Sequence, residues 1–115
     1  MSGEANALEH LPSKVLWYIL LGRKDLDDCT VALPWRRSPP GYQRLLATPR
    51  SGVLSPASFC VEVLRTPEPL VYEVRVDVPN RNPYHKGELH GVEEAMQHAD
   101  KILTRYGIPY LTEQT

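Results

Sequence analysis

The sequence is poor in the residues that build covalent or metal-bound frameworks. Cys29 and Cys60 are its only cysteines among 115 residues, too few and too far apart for a disulfide scaffold or a zinc site. A reducing cytoplasm is therefore the expected compartment. The chain also lacks a GxSxG elbow, a phosphate-binding glycine loop and a dinucleotide fingerprint. We accordingly predict a protein that is not an enzyme, with no catalytic residue and no cofactor.

Long apolar runs are missing as well. The longest one, Val15 to Leu21, is far shorter than the roughly 20 residues of a membrane-spanning helix. Residues 1–10 contain two glutamates and no basic cluster before an apolar run, so we expect neither a signal peptide nor a membrane partner. The net charge of -1 argues against bulk attraction to nucleic acid, and any such binding must come from a local patch.

The composition that is present fits one small folded domain. A content of 42% hydrophobic and 23% charged residues is close to the globular average, and 115 residues suit one core. We expect a single domain over 1–115, with 1–12 and 108–115 as candidate flexible ends. Most of the 11 prolines lie between residues 34 and 83, which excludes long helices there and predicts short strands and loops.

Two segments show the period-two alternation of strands. In the segment Leu70 to Val78 the even-numbered residues, beginning with Leu70, are expected to face the core, and the odd-numbered ones, beginning with Val71, to face solvent or a partner. Residues 59–64 alternate in the same way, and the connector 65–69 is short enough for a hairpin. Residues 59–78 are therefore predicted to form an antiparallel pair.

The strongest helix pattern runs from Val92 to Tyr106. Its apolar residues recur at helical spacing, two glutamates occupy the first turn, and Gly107 with Pro109 supplies the stop. Upstream, Val15 to Leu21 is either a strand paired with Thr30 to Trp35 or a short helix, and residues 42–48 add a further strand. The predicted fold is α+β, with a small antiparallel sheet of four or five strands and one long C-terminal helix packed on one face.

The stretch from Gly41 to Gly107 resembles small bacterial and phage proteins in which an antiparallel sheet precedes one amphipathic helix. The similarity lies in the order of Gly41-Tyr42, the two alternating strands and the helix sequence GELHGVEEAMQHAD of residues 87–100. It implies a short β-meander with one packed helix and no known activity, and it leaves residues 1–40 without a counterpart.

The segment from Trp35 to Arg50 is the most distinctive candidate site. It contains four arginines and two aromatic residues but no acidic residue. Guanidinium groups bind phosphates or carboxylates in a bidentate manner, and nearby rings stack on bases or fill a partner's pocket. The alternative is a solvated loop whose arginines pair with Asp25, Asp27 and Asp28.

A second candidate is the polar stretch of residues 80–87, between the last predicted strand and the helix. Arg81, Tyr84, His85 and Lys86 offer donors and one aromatic face for a partner, although a plain strand-to-helix connector explains the same residues.

Metal and nucleophile chemistry receive less support. Glu94 and His98 are the one pair a helical turn apart in the set Glu88, His90, Glu94 and His98, and a transition-metal site needs three or four converging ligands. Cys60 lies inside a predicted strand, where an inert thiol is the common state.

These observations favour a non-enzymatic binding protein, such as a phage or mobile-element accessory protein or an inhibitor of host machinery. The expected partner is a protein or ribonucleoprotein complex. A nucleic-acid-binding module is the first alternative, and a small metal-binding protein or enzyme the second. The candidate partner-binding residues are Trp35, Arg36, Arg37, Tyr42, Arg44, Arg50, Arg81 and Tyr84.

Overall fold

The computed structural model describes residues 29–111, which form two antiparallel sheets and one helix. The elements are β1 Val31–Ala32, β2 Arg36–Ser38, β3 Gly41–Arg44, β4 Leu46–Thr48, β5 Gly52–Val53, β6 Cys60–Arg65, β7 Val71–Asp77, β8 Tyr84–His90 and α1 Val92–Arg105. The larger sheet has the strand order β2-β3-β6-β7-β8, and the smaller sheet has the order β1-β4-β5. This arrangement confirms the predicted α+β class and adds a second sheet to the single one expected.

The hairpin β6–β7 forms the centre of the larger sheet, as the alternation predicts. Val61 lies opposite Val76 and Val63 opposite Val74, and all four side chains are fully buried. Directly paired residues of an antiparallel sheet project to the same side. These valines therefore define the side of the sheet on which α1 packs, which we call the helix side.

Helix α1 begins and ends where the sequence indicates. Gly91 precedes it with φ 100°, and the Glu94 carboxylate accepts a hydrogen bond from the His90 amide at 3.0 Å. At the other end Gly107 adopts φ 74°, and the Ile108 amide donates to the Leu103 carbonyl at 2.9 Å. The buried residues of the helix are Ala95, Ala99, Ile102 and Leu103. Within residues 29–111 no helix has the length and apolarity needed to cross a membrane.

The predicted assignment of Leu70 and Val71 is wrong. Leu70 is 73% exposed and has φ 63°, whereas Val71 is 7% exposed. The period-two rule holds only inside the strand, and Leu70 belongs to the turn before it. Val71 is the first strand residue, where its carbonyl accepts hydrogen bonds from the amide and the hydroxyl of Thr66. The expected alternation is present from Val74 onward.

Half of the stretch interpreted as a loop over residues 80–87 is strand, since residues 84–87 belong to β8 and residues 80–83 precede it without regular structure. Strand β8 pairs with β7 at one edge of the larger sheet, and a bulge interrupts the register opposite Tyr72 and Val74. Glu88 has φ 60° within β8, close to this irregularity. An edge strand with a bulge loses regular alternation, because an extra residue shifts the side-chain pattern by one position. The charged composition of β8 is also typical of a loop.

The N-terminal part of the described chain differs in detail from the prediction. Residues 42–48 contribute to two strands in different sheets, and only Val31–Ala32 of the segment 30–35 is a strand. The segment Val15 to Leu21, with its proposed pairing, lies outside the described residues. Near the other end, Leu111 is buried and its amide donates to the Ala32 carbonyl, so residues 108–111 pack against β1.

Candidate functional site

Arg44 is buried, and its side chain forms hydrogen bonds to distant parts of the chain. Its Nε donates to Asp100 Oδ1 at 3.0 Å and its Nη2 to Asp100 Oδ2 at 3.3 Å. Its Nη1 donates to the carbonyls of Leu33 and Leu111 at 2.9 and 3.0 Å. The guanidinium therefore connects β3 with the helix and with two segments beside the smaller sheet, one at Leu33 and one at Leu111.

Two aromatic rings complete the surroundings of Arg44. The guanidinium carbon lies 4.9 Å from the ring centroid of Trp35 and 4.6 Å from that of Tyr110, both within cation–π range. Burial lowers the pKa of Arg44, and the negative charge of Asp100 opposes this change. Since Arg44 is only 3% exposed, the prediction that it meets a partner at the surface is wrong.

Trp35 belongs to the same structural cluster. Its ring is half-buried against the core and lies next to the Arg44 guanidinium. In the described part of the chain, its buried indole N–H has no hydrogen-bond acceptor. The tryptophan thus packs against the core and Arg44, and its role in binding a partner stays a prediction.

Arg36 lies on the side of the larger sheet opposite the helix. Its Nε and Nη2 donate to Gln43 Oε1 at 3.3 and 2.9 Å. The strand register continues this row across the sheet, from Gln43 to Glu62, Arg75 and His85. Arg75 is 3.8 Å from Glu62, so charges of this row compensate one another within the sheet.

Arg50 lies in the turn between β4 and β5 of the smaller sheet. The stretch from Trp35 to Arg50 is thus folded into two sheets and a core cluster. Its four arginines do not form one patch, because Arg44 is buried and Arg36 and Arg37 lie on opposite sides of the larger sheet.

Arg37 and Tyr42 enter a different grouping, together with two residues from later in the chain. Arg37 pairs with Tyr42 and Tyr42 with Val63, which places both on the helix side. Arg65 follows Val63 by two positions and pairs with Tyr72, so these residues lie on that side as well. The four surround a depression of about 300 Å³, closed at one end by the turn Pro39–Pro40. We call it the Arg–Tyr groove.

The local backbone explains how the groove is closed. Pro39 and Pro40, joined by a cis peptide bond, form the two-residue turn between Ser38 and Gly41. A Cβ atom on Gly41 would lie 1.8 Å from the carbonyl oxygen of Val63. Only glycine therefore lets the β2–β3 hairpin lie this close to β6.

The groove is electropositive and half-apolar. Arg37 and Arg65 are exposed and, among residues 29–111, form no ion pair or side-chain hydrogen bond, and no acidic residue lines the depression. Tyr42 and Tyr72 are half-buried, and they present ring surface beside the two guanidinium groups. Such a set can hold a carboxylate or phosphate while an adjacent apolar group contacts the rings.

Arg65 and Tyr72 were missed at the sequence level. Their proximity follows from the predicted hairpin, since any tight pairing of residues 59–78 places its two inner ends together. Their approach to Tyr42 depends on the pairing of β3 with β6. The sequence of residues 41–44 has no pattern that would predict this pairing.

Tyr84 and Arg81 lie at the opposite edge of the sheet. The Tyr84 hydroxyl is 2.7 Å from His98 Nε2, and the Arg81 guanidinium carbon lies 4.9 Å from the Tyr106 ring centroid. Lys86 projects from the same side of β8 as Tyr84, since their partners on β7 are the inward-facing Val74 and Val76. Tyr84 and Arg81, both predicted to bind a partner, therefore lie beside α1.

The candidate metal ligands and the thiols do not form a reactive cluster. Glu94 binds the His90 amide and His98 contacts Tyr84, while no three His, Cys, Asp or Glu side chains converge anywhere in the described chain. Burial raises the pKa of the Cys60 thiol, and the neighbouring Glu62 raises it further. Burial also raises the pKa of Cys29. Both changes lower the thiolate fraction at neutral pH.

The Arg–Tyr groove is thus the described feature that joins concave shape, uncompensated charge and exposed ring surface. Another depression, of about 600 Å³, flanks α1, but its wall includes Asp100, which is already paired with Arg44. Comparison with known proteins found no matching family model, no matching curated protein and no matching solved structure. The candidate site therefore rests on its own geometry.

Proposed function

We propose that this protein is a non-enzymatic binding protein that holds an acidic segment of a protein partner in the Arg–Tyr groove. The observation that carries the proposal is the pairing of two uncompensated guanidinium groups, Arg37 and Arg65, with two half-buried tyrosine rings around one depression. Tyrosine and arginine are, together with tryptophan, the residues most enriched at the energetic centres of protein interfaces.

The chemistry of the groove supports an acidic segment over a neutral one. A carboxylate can accept two parallel hydrogen bonds from one guanidinium, and such charge-assisted bonds are stronger than bonds between neutral groups. The rings of Tyr42 and Tyr72 supply a rigid surface for an adjacent apolar side chain, because a tyrosine loses little rotamer freedom on binding. Affinity and orientation then come from different parts of the same groove.

A charge-matched pair of double variants tests the proposal. Arg37→Ala/Arg65→Ala removes both groove cations, whereas Arg36→Ala/Arg75→Ala removes two cations from the opposite side of the sheet. Both variants and the wild type serve as baits in the native host, with quantitative mass spectrometry and nucleic-acid detection. A partner is then purified and titrated against all three proteins.

We expect the groove variant to lose the partner and to bind it at least about tenfold more weakly, since that loss needs only about 1.4 kcal/mol. The control variant should bind like the wild type. Equal affinity for all three proteins would contradict the proposal. Loss of a captured nucleic acid, with no protein lost, would favour the nucleic-acid alternative instead.

A further inference from the structure

The flank of α1 that faces β8 carries a second group of cations. Lys101 and Arg105 fall within an arc of about 60° that also contains His98, because successive helical residues are about 100° apart. The hydrogen bond between the Tyr84 hydroxyl and His98 Nε2 holds β8 beside this flank, and Lys86 projects from the same side of β8. The turn before β8 adds Arg81, which lies over the ring of Tyr106 at the C-terminal end of the helix. We call Arg81, Lys86, Lys101 and Arg105 the helix-edge patch.

The cations of the helix-edge patch form no direct ion pairs within the described chain. None of its four members forms an ion pair among residues 29–111, and all four are exposed. Asp100 lines the same depression beside the helix as Lys101 and Arg105, but its carboxylate is paired with Arg44. Glu94 is the acidic residue on the same flank, and its carboxylate accepts the His90 amide hydrogen bond.

His98 responds to this local field. Partial burial lowers its pKa first, and the nearby charges of Lys86, Lys101 and Arg105 lower it further. Glu94 acts in the opposite direction and does not cancel the effect. Three cations therefore lie near enough to the imidazole to lower its pKa, although the net charge of the chain is -1.

The helix-edge patch differs from the Arg–Tyr groove in the surface it offers. Its two rings are engaged, Tyr84 with His98 and Tyr106 with Arg81, and its cations stand on long exposed side chains. A protein interface uses a desolvated core with aromatic anchors, whereas a phosphate backbone is bound by cations alone through release of counterions. We propose that the helix-edge patch binds the phosphodiester backbone of a nucleic acid without reading its sequence.

Fluorescence anisotropy with a labelled 20-nucleotide single strand and a 20-base-pair duplex tests this site across a salt series. Four phosphate contacts predict that log K falls with log salt with a slope of about -3 to -4. Lys101→Ala/Arg105→Ala should weaken binding and reduce the slope by about 2, whereas the equally charged control Arg36→Ala/Arg75→Ala should leave the slope unchanged. An absence of binding at low salt, or equal losses in both variants, would overturn the proposal.

Histidine resonances locate the bound oligonucleotide independently of affinity. Phosphates on the helix-edge patch offset the cations around His98, so NMR titration should show a higher pKa for His98 in the complex. By linkage, affinity should then increase as the pH falls through the range in which His98 takes up its proton, and His98→Gln should remove that increase. The ring signals of His85, on the opposite side of the sheet, should not respond. Binding that leaves the His98 titration unchanged would place the ligand elsewhere and refute the proposal.

Two further arms separate this inference from its alternatives. Polyglutamate of the same charge should compete poorly, and equal competition would favour an acidic protein as the occupant. Arg37→Ala/Arg65→Ala should bind the oligonucleotide like the wild type, so the groove and the helix-edge patch can fail independently.

Discussion

Arg44→Ala should destabilise the fold more than the loss of a surface arginine could. The substitution removes four hydrogen bonds and a cation held between the rings of Trp35 and Tyr110. It leaves the Asp100 carboxylate, about one-fifth exposed, without this partner, together with two backbone carbonyls. The penalty comes mostly from those polar groups, which are partly removed from water.

The magnitude follows from the burial of the pair. Breaking a buried ion pair by removing one member costs about 3–5 kcal/mol, whereas deleting an exposed arginine costs less than about 1 kcal/mol. The Arg44 side chain is only 4% exposed, but Asp100 is 21% exposed, which favours the lower end of this range. We therefore expect the unfolding free energy to fall by about 3 kcal/mol. That is a large share of the roughly 5–15 kcal/mol that stabilises a small domain, and it should lower Tm by about 10 °C or more.

Urea unfolding followed by tryptophan fluorescence and circular dichroism measures the effect. Arg37→Ala is the matched control, because Arg37 lies on a nearby strand of the same sheet and is exposed. Arg44→Lys keeps the charge but loses the planar fork, so it should be intermediate, and it remains informative if Arg44→Ala does not fold. An unfolding free energy for Arg44→Ala within about 1 kcal/mol of wild type would refute the reasoning.

Two other predictions concern the groove and the helix. Gly41→Ala should lower the unfolding free energy in urea by at least about 2 kcal/mol, because its Cβ would lie 1.8 Å from the Val63 carbonyl oxygen. The control Gly87→Ala, whose Cβ meets nothing within 4 Å, should stay within about 0.5 kcal/mol of wild type. Equal stabilities of the two variants would show that the β2–β3 hairpin is not packed this closely against β6. Folding lowers the pKa of His98, so the unfolded chain binds the proton more tightly, and the folded state should lose stability as the pH falls below about 6.5. His98→Gln should make the urea midpoint of unfolding less dependent on pH in this range. An identical pH profile for variant and wild type would contradict the lowered pKa of His98.

The elements that could be predicted are those whose pattern is local. Helix α1 and the hairpin β6–β7 each bury one face, so their apolar residues recur with the period of the structure. Strand β8 was missed because an edge strand with a bulge has few constraints on its sequence. The pattern failed at Leu70 because a turn residue with positive φ does not obey the alternation of the strand that follows it.

The candidate site was less predictable than the fold, and Arg37 and Arg44 show why. Both lie in one arginine-rich stretch, and nothing in their immediate sequence distinguishes them. One is exposed in the Arg–Tyr groove, while the other is fixed in the core by Asp100, which lies 56 residues further along the chain. The role of each arginine is set by what the later strands and the helix bring to it.

The same reasoning explains why charge density along the sequence is a poor guide to binding in this chain. Arg36 and Arg37 are adjacent, but a strand turns them to opposite sides of the sheet, one towards Gln43 and the other into the groove. Arg37 gains a cationic neighbour on its own side of the sheet through Arg65, which the pairing of β3 with β6 places near it. A surface that can hold an anion is therefore a property of strand register, which explains why Gly41, a residue without a side chain, is as important to the groove as either arginine.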